Sequence, residues 1–181
     1  MKTDINIVDE YMQNNCITTG FLDNVARYVV ELLRQTNNKI ATAESLTGGM
    51  ISQYITSVSG SSEIFELGIT SYTDRIKAQE LNVDENILRE YSAVSEQTAK
   101  AMALGVKEKS GANITVAVTG LAGPTGGTPD KPVGTVYVAV ISDSKTIVLN
   151  LRLNEKFTSL DREKIRMLTV AYALEMVAQC L

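Results

Sequence analysis

Apolar positions along the chain switch between two spacings, and this switching predicts an alternation of helices and strands. From Phe21 to Leu33 the apolar residues recur at helical spacing, and Asn37-Asn38 ends the pattern. A helix is also predicted at about residues 160–179, with Thr158 and Asp161 as a capping box. Apolar or alternating runs predict strands at residues 39–43, 65–72, 114–119, 136–141 and 147–153.

This order of elements predicts the fold class. Strands alternate with helices, which are predicted to begin after residues 49, 73, 83 and 95, the last of them closed by Gly111, and the last two strands form a hairpin. We therefore expect an α/β protein, a three-layer α/β/α sandwich with a mixed, mostly parallel sheet. With 181 residues, of which 44% are hydrophobic, residues 21–181 are expected to form one domain, preceded by a polar extension over residues 1–20.

Composition narrows the classes of function. The net charge of −4 and the absence of a Lys/Arg cluster argue against a nucleic-acid surface. The amino-terminal residues lack the apolar stretch of a signal peptide and no apolar run could span a bilayer, so we expect a soluble, cytoplasmic protein. Cys16 and Cys180 are read as reduced thiols. The chain has no histidine, which excludes a Ser-His-Asp triad and a His-ligated zinc site within it.

Residues 43–49, Ala-Glu-Ser-Leu-Thr-Gly-Gly, lie where a predicted strand meets a predicted helix. Backbone N–H groups at a helix start converge on negative charge, so this stretch can hold an anion or a developing oxyanion next to Ser45. In the alternative interpretation, Ser45 or Thr47 is only the helix N-cap and the two glycines only allow close packing.

Further candidates fall at the carboxyl ends of predicted strands, where sites form in open α/β sheets. Tyr72 ends the second strand and Lys77 lies just beyond it. Without histidine, the base for a serine nucleophile must be Lys, Tyr or a carboxylate. Lys77 could serve if burial lowers its pKa, whereas on a solvated helix face it would have no such role.

Two other features suit a ligand. The loop over residues 119–132 is rich in Gly and Pro, which favours backbone approach to a ligand over a flexible surface loop. Arg162 and Arg166 stand one turn apart at the start of the last helix and suit a phosphate. A solvated helix face would explain the same spacing.

Taken together, these residues resemble the CinA C-terminal domain family, whose biochemically defined members are nicotinamide-nucleotide amidases. The resemblance covers nearly everything from residue 21 onward and rests on motifs at residues 42–49, 60–62, 72–78, 93–96, 120–124, 131–136 and 161–166. It implies a Ser45, Lys77 and Tyr72 arrangement that hydrolyses nicotinamide mononucleotide to nicotinic acid mononucleotide and ammonia, without metal or organic cofactor.

The resemblance also implies a stand-alone, homodimeric form with a small anionic nucleotide as substrate. Charge and hydropathy, in turn, predict no nucleic-acid or membrane partner. Substrate binding would fall on Leu46, Thr47, Gly48, Gly120, Ala122, Gly123, Arg162 and Arg166, with N–H groups near residues 46–47 holding the oxyanion. Two residues depart from the family pattern: Leu46 replaces a usual Cys, and Leu160 replaces a Gly whose loss could shift the arginines if positive φ is required. The alternatives are a catalytically weak binding or interaction protein and an amidase for another carboxamide.

Overall fold

A five-stranded mixed sheet forms the centre of the computed structural model, which describes residues 7–13 and 16–181. In chain order its strands are β1 (Ile40–Glu44), β2 (Phe65–Thr70), β3 (Ile114–Gly120), β4 (Val136–Ile141) and β5 (Thr146–Asn150). Their spatial order is β2-β1-β3-β4-β5, in which β1 runs parallel to β2 and β3 while β4 runs antiparallel to β3 and β5.

Helices occupy both faces of this sheet. Their bounds are α1 (Ile7–Met12), α2 (Thr19–Gln35), α3 (Met50–Thr56), α4 (Asp74–Leu81), α5 (Glu85–Tyr91), α6 (Glu96–Ser110), α7 (Leu153–Lys156) and α8 (Arg162–Ala178). A 3₁₀ turn, Ser61–Glu63, precedes β2. Helices α2, α3 and α8 pack together on one face, and α6, flanked by α4 and α5, covers the other. The predicted α/β sandwich is confirmed.

Strand alternation divides the core between the two faces. Ile40 on β1 and Val116 on β3 belong to the apolar cluster under α2, α3 and α8. Ala41 and Ala43 on β1 and Ala117 on β3 pack instead against α6. Since successive side chains of a strand point to opposite faces, the small alanines let α6 lie close to the sheet.

Several predicted boundaries differ from the structure. β2 ends at Thr70, so Tyr72 lies in the following loop. β5 ends at Asn150, and Leu153 opens α7 instead of extending the strand. The predicted capping box of Thr158 and Asp161 is wrong, because Asp161 is itself the N-cap of α8 and accepts a hydrogen bond from the N–H of Lys164 at 2.8 Å.

The described part of the predicted extension packs on the domain through α1. The buried Glu175 of α8 accepts hydrogen bonds from the N–H groups of Ile7 (2.7 Å) and Val8 (3.3 Å), and the Tyr172 hydroxyl donates to Asp9. Residues 1–6 and 14–15 of that extension lie outside the described residues. The homodimer implied by the family resemblance stays a prediction. Within the described ranges, no helix has the length and apolar character needed to cross a membrane.

Candidate active site

Ser45 and Lys77 meet at the carboxyl end of β1. Ser45 is the first residue after β1, and its N–H donates to the carbonyl of Val118 at 3.1 Å, which continues the pairing with β3. Lys77 lies on α4, and its Nζ donates to Ser45 Oγ at 3.2 Å and to the Ser71 carbonyl at 2.9 Å. The Ser71 N–H in turn donates to the Glu44 carbonyl at 2.8 Å, so the strand ends themselves fix where the amine sits.

Burial sets the chemistry of this amine. Lys77 is 1% exposed and Ser45 is 9% exposed, so the pair lies almost entirely away from bulk water. Desolvation lowers the pKa of Lys77 below its ordinary value, while the nearby negative charge of Asp74 acts in the opposite direction. A lysine with a lowered pKa beside a serine hydroxyl has the properties of a general base.

The pair opens into a cleft of about 230 Å³. Its walls come from the ends of β1 and β3, the β2–α4 and α5–α6 connections, the loop after β3 and the start of α8. The predicted site residues that line it are Ser45, Leu46, Tyr72, Lys77, Gly120, Ala122, Gly123 and Arg162. Thr119, Leu121 and Thr125 of the predicted ligand-binding loop also line it. Three further lining residues, Asp74, Ala93 and Val94, had no predicted function.

The structure places Tyr72 at the mouth of the cleft. Its side chain is 56% exposed, and its hydroxyl accepts a hydrogen bond from Arg162 Nη2 at 2.9 Å. Arg162 Nη1 also donates to the Gly123 carbonyl at 2.6 Å, so one guanidinium bridges the β2–α4 loop and the loop after β3. Among the described residues, Tyr72 makes no hydrogen bond to Ser45 or Lys77. The structure thus brings Ser45 and Lys77 together and leaves Tyr72 with the arginine.

The start of α3 is occupied by a carboxylate of the chain itself. Glu44 is fully buried, and its side chain accepts hydrogen bonds from the N–H groups of Gly49 (3.0 Å), Ile51 (3.0 Å) and Ser52 (2.8 Å) and from the Ser52 hydroxyl (2.8 Å). The anion at this helix start is therefore Glu44, and the expectation that the α3 N–H groups hold a ligand anion is wrong. Neither Ser45 nor Thr47 caps α3, since Gly49 holds the N-cap position.

The turn between β1 and α3 retains other donors. No described residue accepts a hydrogen bond from the backbone N–H of Leu46 or Thr47. Of these two residues, Leu46 lines the cleft, so its N–H is the better placed to meet an oxyanion. The Leu46 side chain is 4% exposed and belongs to the core.

Three predicted binding residues, Thr47, Gly48 and Arg166, are not among the described residues that line the cleft. Arg166 Nη2 donates to the Thr47 carbonyl at 2.7 Å, and the Gly48 N–H donates to the Ser45 carbonyl at 3.1 Å. The structure places these residues where they support the turn that carries Ser45, whereas Arg162 alone of the two arginines reaches the cleft.

The glycine-rich loop after β3 is fastened at both ends. The Leu121 N–H donates to the Thr135 carbonyl at 2.9 Å, and the Gly134 N–H donates to the Leu121 carbonyl at 2.9 Å. These two hydrogen bonds extend the β3–β4 pairing. Lys131 Nζ donates to the carbonyls of Tyr91 (3.1 Å) and Val94 (2.9 Å) and to the Ser92 hydroxyl (2.6 Å). Lys131 therefore ties this loop to the α5–α6 connection, and both segments line the cleft.

Leu160 fits the backbone before α8 without strain. It is not among the described non-glycine residues with positive φ, whereas its neighbour Ser159 is, with φ of 56°. The Leu160 side chain packs against the apolar core under α8. A glycine is therefore not required at position 160 to present Arg162, and the left-handed backbone lies one residue earlier.

Comparison with known proteins identifies the family of the chain. The sequence profile described as the CinA C-terminal domain matches residues 22–181. The chain belongs to this family. The CinA-like protein of Kosmotoga olearia is 42% identical over 159 residues, which cover 88% of this chain and 37% of that protein, so the chain spans little more than a third of this curated relative.

Solved structures of the CinA superfamily share the fold. The competence/damage inducible protein CihA from Agrobacterium tumefaciens has a TM-score of 0.85 at 36% identity, covering 91% of this chain and 98% of that one. A competence-damaged protein (CinA) superfamily protein from Escherichia coli has a TM-score of 0.83 at 29% identity, covering 94% and 98%. The family resemblance predicted from the sequence motifs is thereby confirmed.

Proposed function

We propose that this CinA-family chain is an amidohydrolase that converts nicotinamide mononucleotide to nicotinic acid mononucleotide and ammonia. The observation that carries the proposal is the buried contact of 3.2 Å between Lys77 Nζ and Ser45 Oγ at the floor of a polar cleft. Family membership supports the amidase class, and the choice of nucleotide rests on the family's defined members.

The reaction uses the pair directly. When the Lys77 amine is neutral, its lone pair accepts the Ser45 proton across the existing contact, and Oγ attacks the carboxamide carbon. The Leu46 N–H would stabilise the oxyanion, a contribution typically on the order of 3 kcal/mol per donor. Collapse of the tetrahedral intermediate breaks the C–N bond, and Lys77 returns its proton to the departing ammonia. Water then hydrolyses the acyl-enzyme by the same general-base route.

Substrate binding would divide between the cleft and its mouth. A cleft of about 230 Å³ lies below the roughly 300–1,000 Å³ typical of sites that enclose a whole ligand. The cleft therefore holds the ring that carries the carboxamide, and the ribose phosphate extends toward Arg162 at the rim. In this arrangement Tyr72 orients Arg162 instead of carrying the Ser45 proton.

Ammonia release from nicotinamide mononucleotide tests the proposal, with wild type, Ser45→Ala and the exposed-serine control Ser57→Ala compared. We expect release by wild type and by the control and none by Ser45→Ala, with slower release from nicotinamide riboside because it lacks the phosphate. A second candidate function is nucleotide binding without turnover. It is favoured by the hydrogen bond from Arg162 to Tyr72, which places Tyr72 with the arginine and not with Ser45 and Lys77. Binding of the mononucleotide by wild type without ammonia release would favour that candidate.

A further inference from the structure

The cleft carries charges of both signs that do not neutralise each other. Asp74 and Arg162 both line it. The Arg162 guanidinium is engaged by the Tyr72 hydroxyl and the Gly123 carbonyl. Among the described residues, the Asp74 carboxylate forms neither a hydrogen bond nor an ion pair. Two unpaired opposite charges in one small cleft favour a ligand that carries both charges itself.

Asp74 lies close to the reacting pair along α4. It is the first residue of α4, and Lys77 follows three residues later, so both side chains project from the same side of the helix. The negative charge of Asp74 is felt at the Lys77 amine, which contacts Ser45. The other charged or titratable residues lining the cleft are Tyr72 and Arg162, both at its mouth.

We propose that Asp74 is a specificity-determining residue that selects carboxamides attached to a cationic ring, with Arg162 taking the anionic end of the same ligand. The inference rests on the proposed function, since the carboxamide must lie at Ser45 for its ring to approach Asp74. A pyridinium nucleotide is a ligand of this class, with one positive ring and one negative phosphate.

Binding to the Ser45→Ala protein tests the inference without turnover. Oxidised nicotinamide mononucleotide has a pyridinium ring, and its dihydro form has a neutral ring with the same carboxamide and ribose phosphate. We expect tighter binding of the oxidised form and about a two- to five-fold smaller preference after Asp74→Asn, the scale of charge pairs at exposed positions such as that of Asp74. Asp74→Glu should retain most of the preference, and Glu85→Gln, which removes a first-turn acid from the adjacent α5, should leave it unchanged.

The outcomes separate the inference from the proposed function. An unchanged preference in Asp74→Asn, with only a lower Tm, would overturn the inference and leave Asp74 as a first-turn acid that stabilises α4. Selective binding of the oxidised form by Ser45→Ala, lost in Asp74→Asn, would support the inference even if wild type released no ammonia. Failure of Ser45→Ala to bind either nucleotide would overturn the inference, and turnover by wild type would still decide the proposed function.

Discussion

Replacing Lys77 with methionine should remove activity and change how stability depends on pH. Lys77 is buried, and its pKa is lowered from 10.5 by desolvation. The unfolded chain therefore binds a proton at Lys77 over a pH range in which the native protein does not. Wild type should become more stable as pH rises through this range, up to the ordinary lysine pKa, and Lys77→Met should lack this gain.

The slope of this effect follows from linkage. One proton of difference between unfolded and native states corresponds to about 1.4 kcal/mol of unfolding free energy per pH unit. Methionine also leaves the Ser71 carbonyl, now 2.9 Å from Nζ, without that donor, a loss of about 1–3 kcal/mol. That loss is the same at every pH in the range, so the slope of the difference isolates the buried amine.

Urea unfolding between pH 7 and pH 10 measures this difference. We expect the unfolding free energy of wild type minus that of Lys77→Met to rise with pH, whereas Lys100→Met, which removes an exposed lysine from α6, serves as the control. Other titrating groups are common to the proteins and cancel. Parallel curves for wild type and Lys77→Met would refute the argument that burial lowers the pKa of Lys77 in the folded protein.

Three further substitutions test the surroundings of the pair. Glu44→Gln should lower the unfolding free energy by about 1–3 kcal/mol and reduce kcat, because its amide keeps one acceptor oxygen but turns the other into an NH2 group, which cannot accept from the N–H groups at the start of α3; urea unfolding and steady-state kinetics check both, and unchanged values would contradict the anchoring role. Tyr72→Phe should raise KM several-fold with kcat retained, because it frees Arg162; a loss of kcat as complete as in Lys77→Met would instead make Tyr72 part of the proton path. Lys131→Met should raise KM through loss of its three hydrogen bonds, and unchanged kinetics would show that the loop holds its place without them.

Much of the fold was predictable because its elements carry local signals. Thr73, Ser95 and Asp84 cap helices α4, α6 and α5 with their side chains, and Gly111 ends α6 in the left-handed conformation. These interactions lie within a few residues of one another, so the sequence alone encodes them. The position of Ser45 at a strand end was predictable for the same reason.

The details of the site depend on contacts that are distant in the chain. Lys77 Nζ reaches Ser45 across 32 positions of sequence, and Arg162 reaches Tyr72 across 90. From their spacing, Arg162 and Arg166 were equally good candidates for phosphate binding. In the structure Arg166, one turn further along α8, instead donates a hydrogen bond to the Thr47 carbonyl. The sequence motif that contains Glu44 does not reveal its role. Only the folded structure shows that Glu44 is buried and accepts hydrogen bonds from three N–H groups at the start of α3.

The most direct test of the account is intact-protein mass spectrometry of wild type quenched during turnover of nicotinamide mononucleotide. The account predicts a covalent adduct with the mass of the nucleotide less ammonia, mapped by peptide digestion to Ser45 and absent from Ser45→Ala. Ammonia release by a Ser45→Ala protein, or an adduct on another residue, would contradict the assignment of Ser45 as the nucleophile.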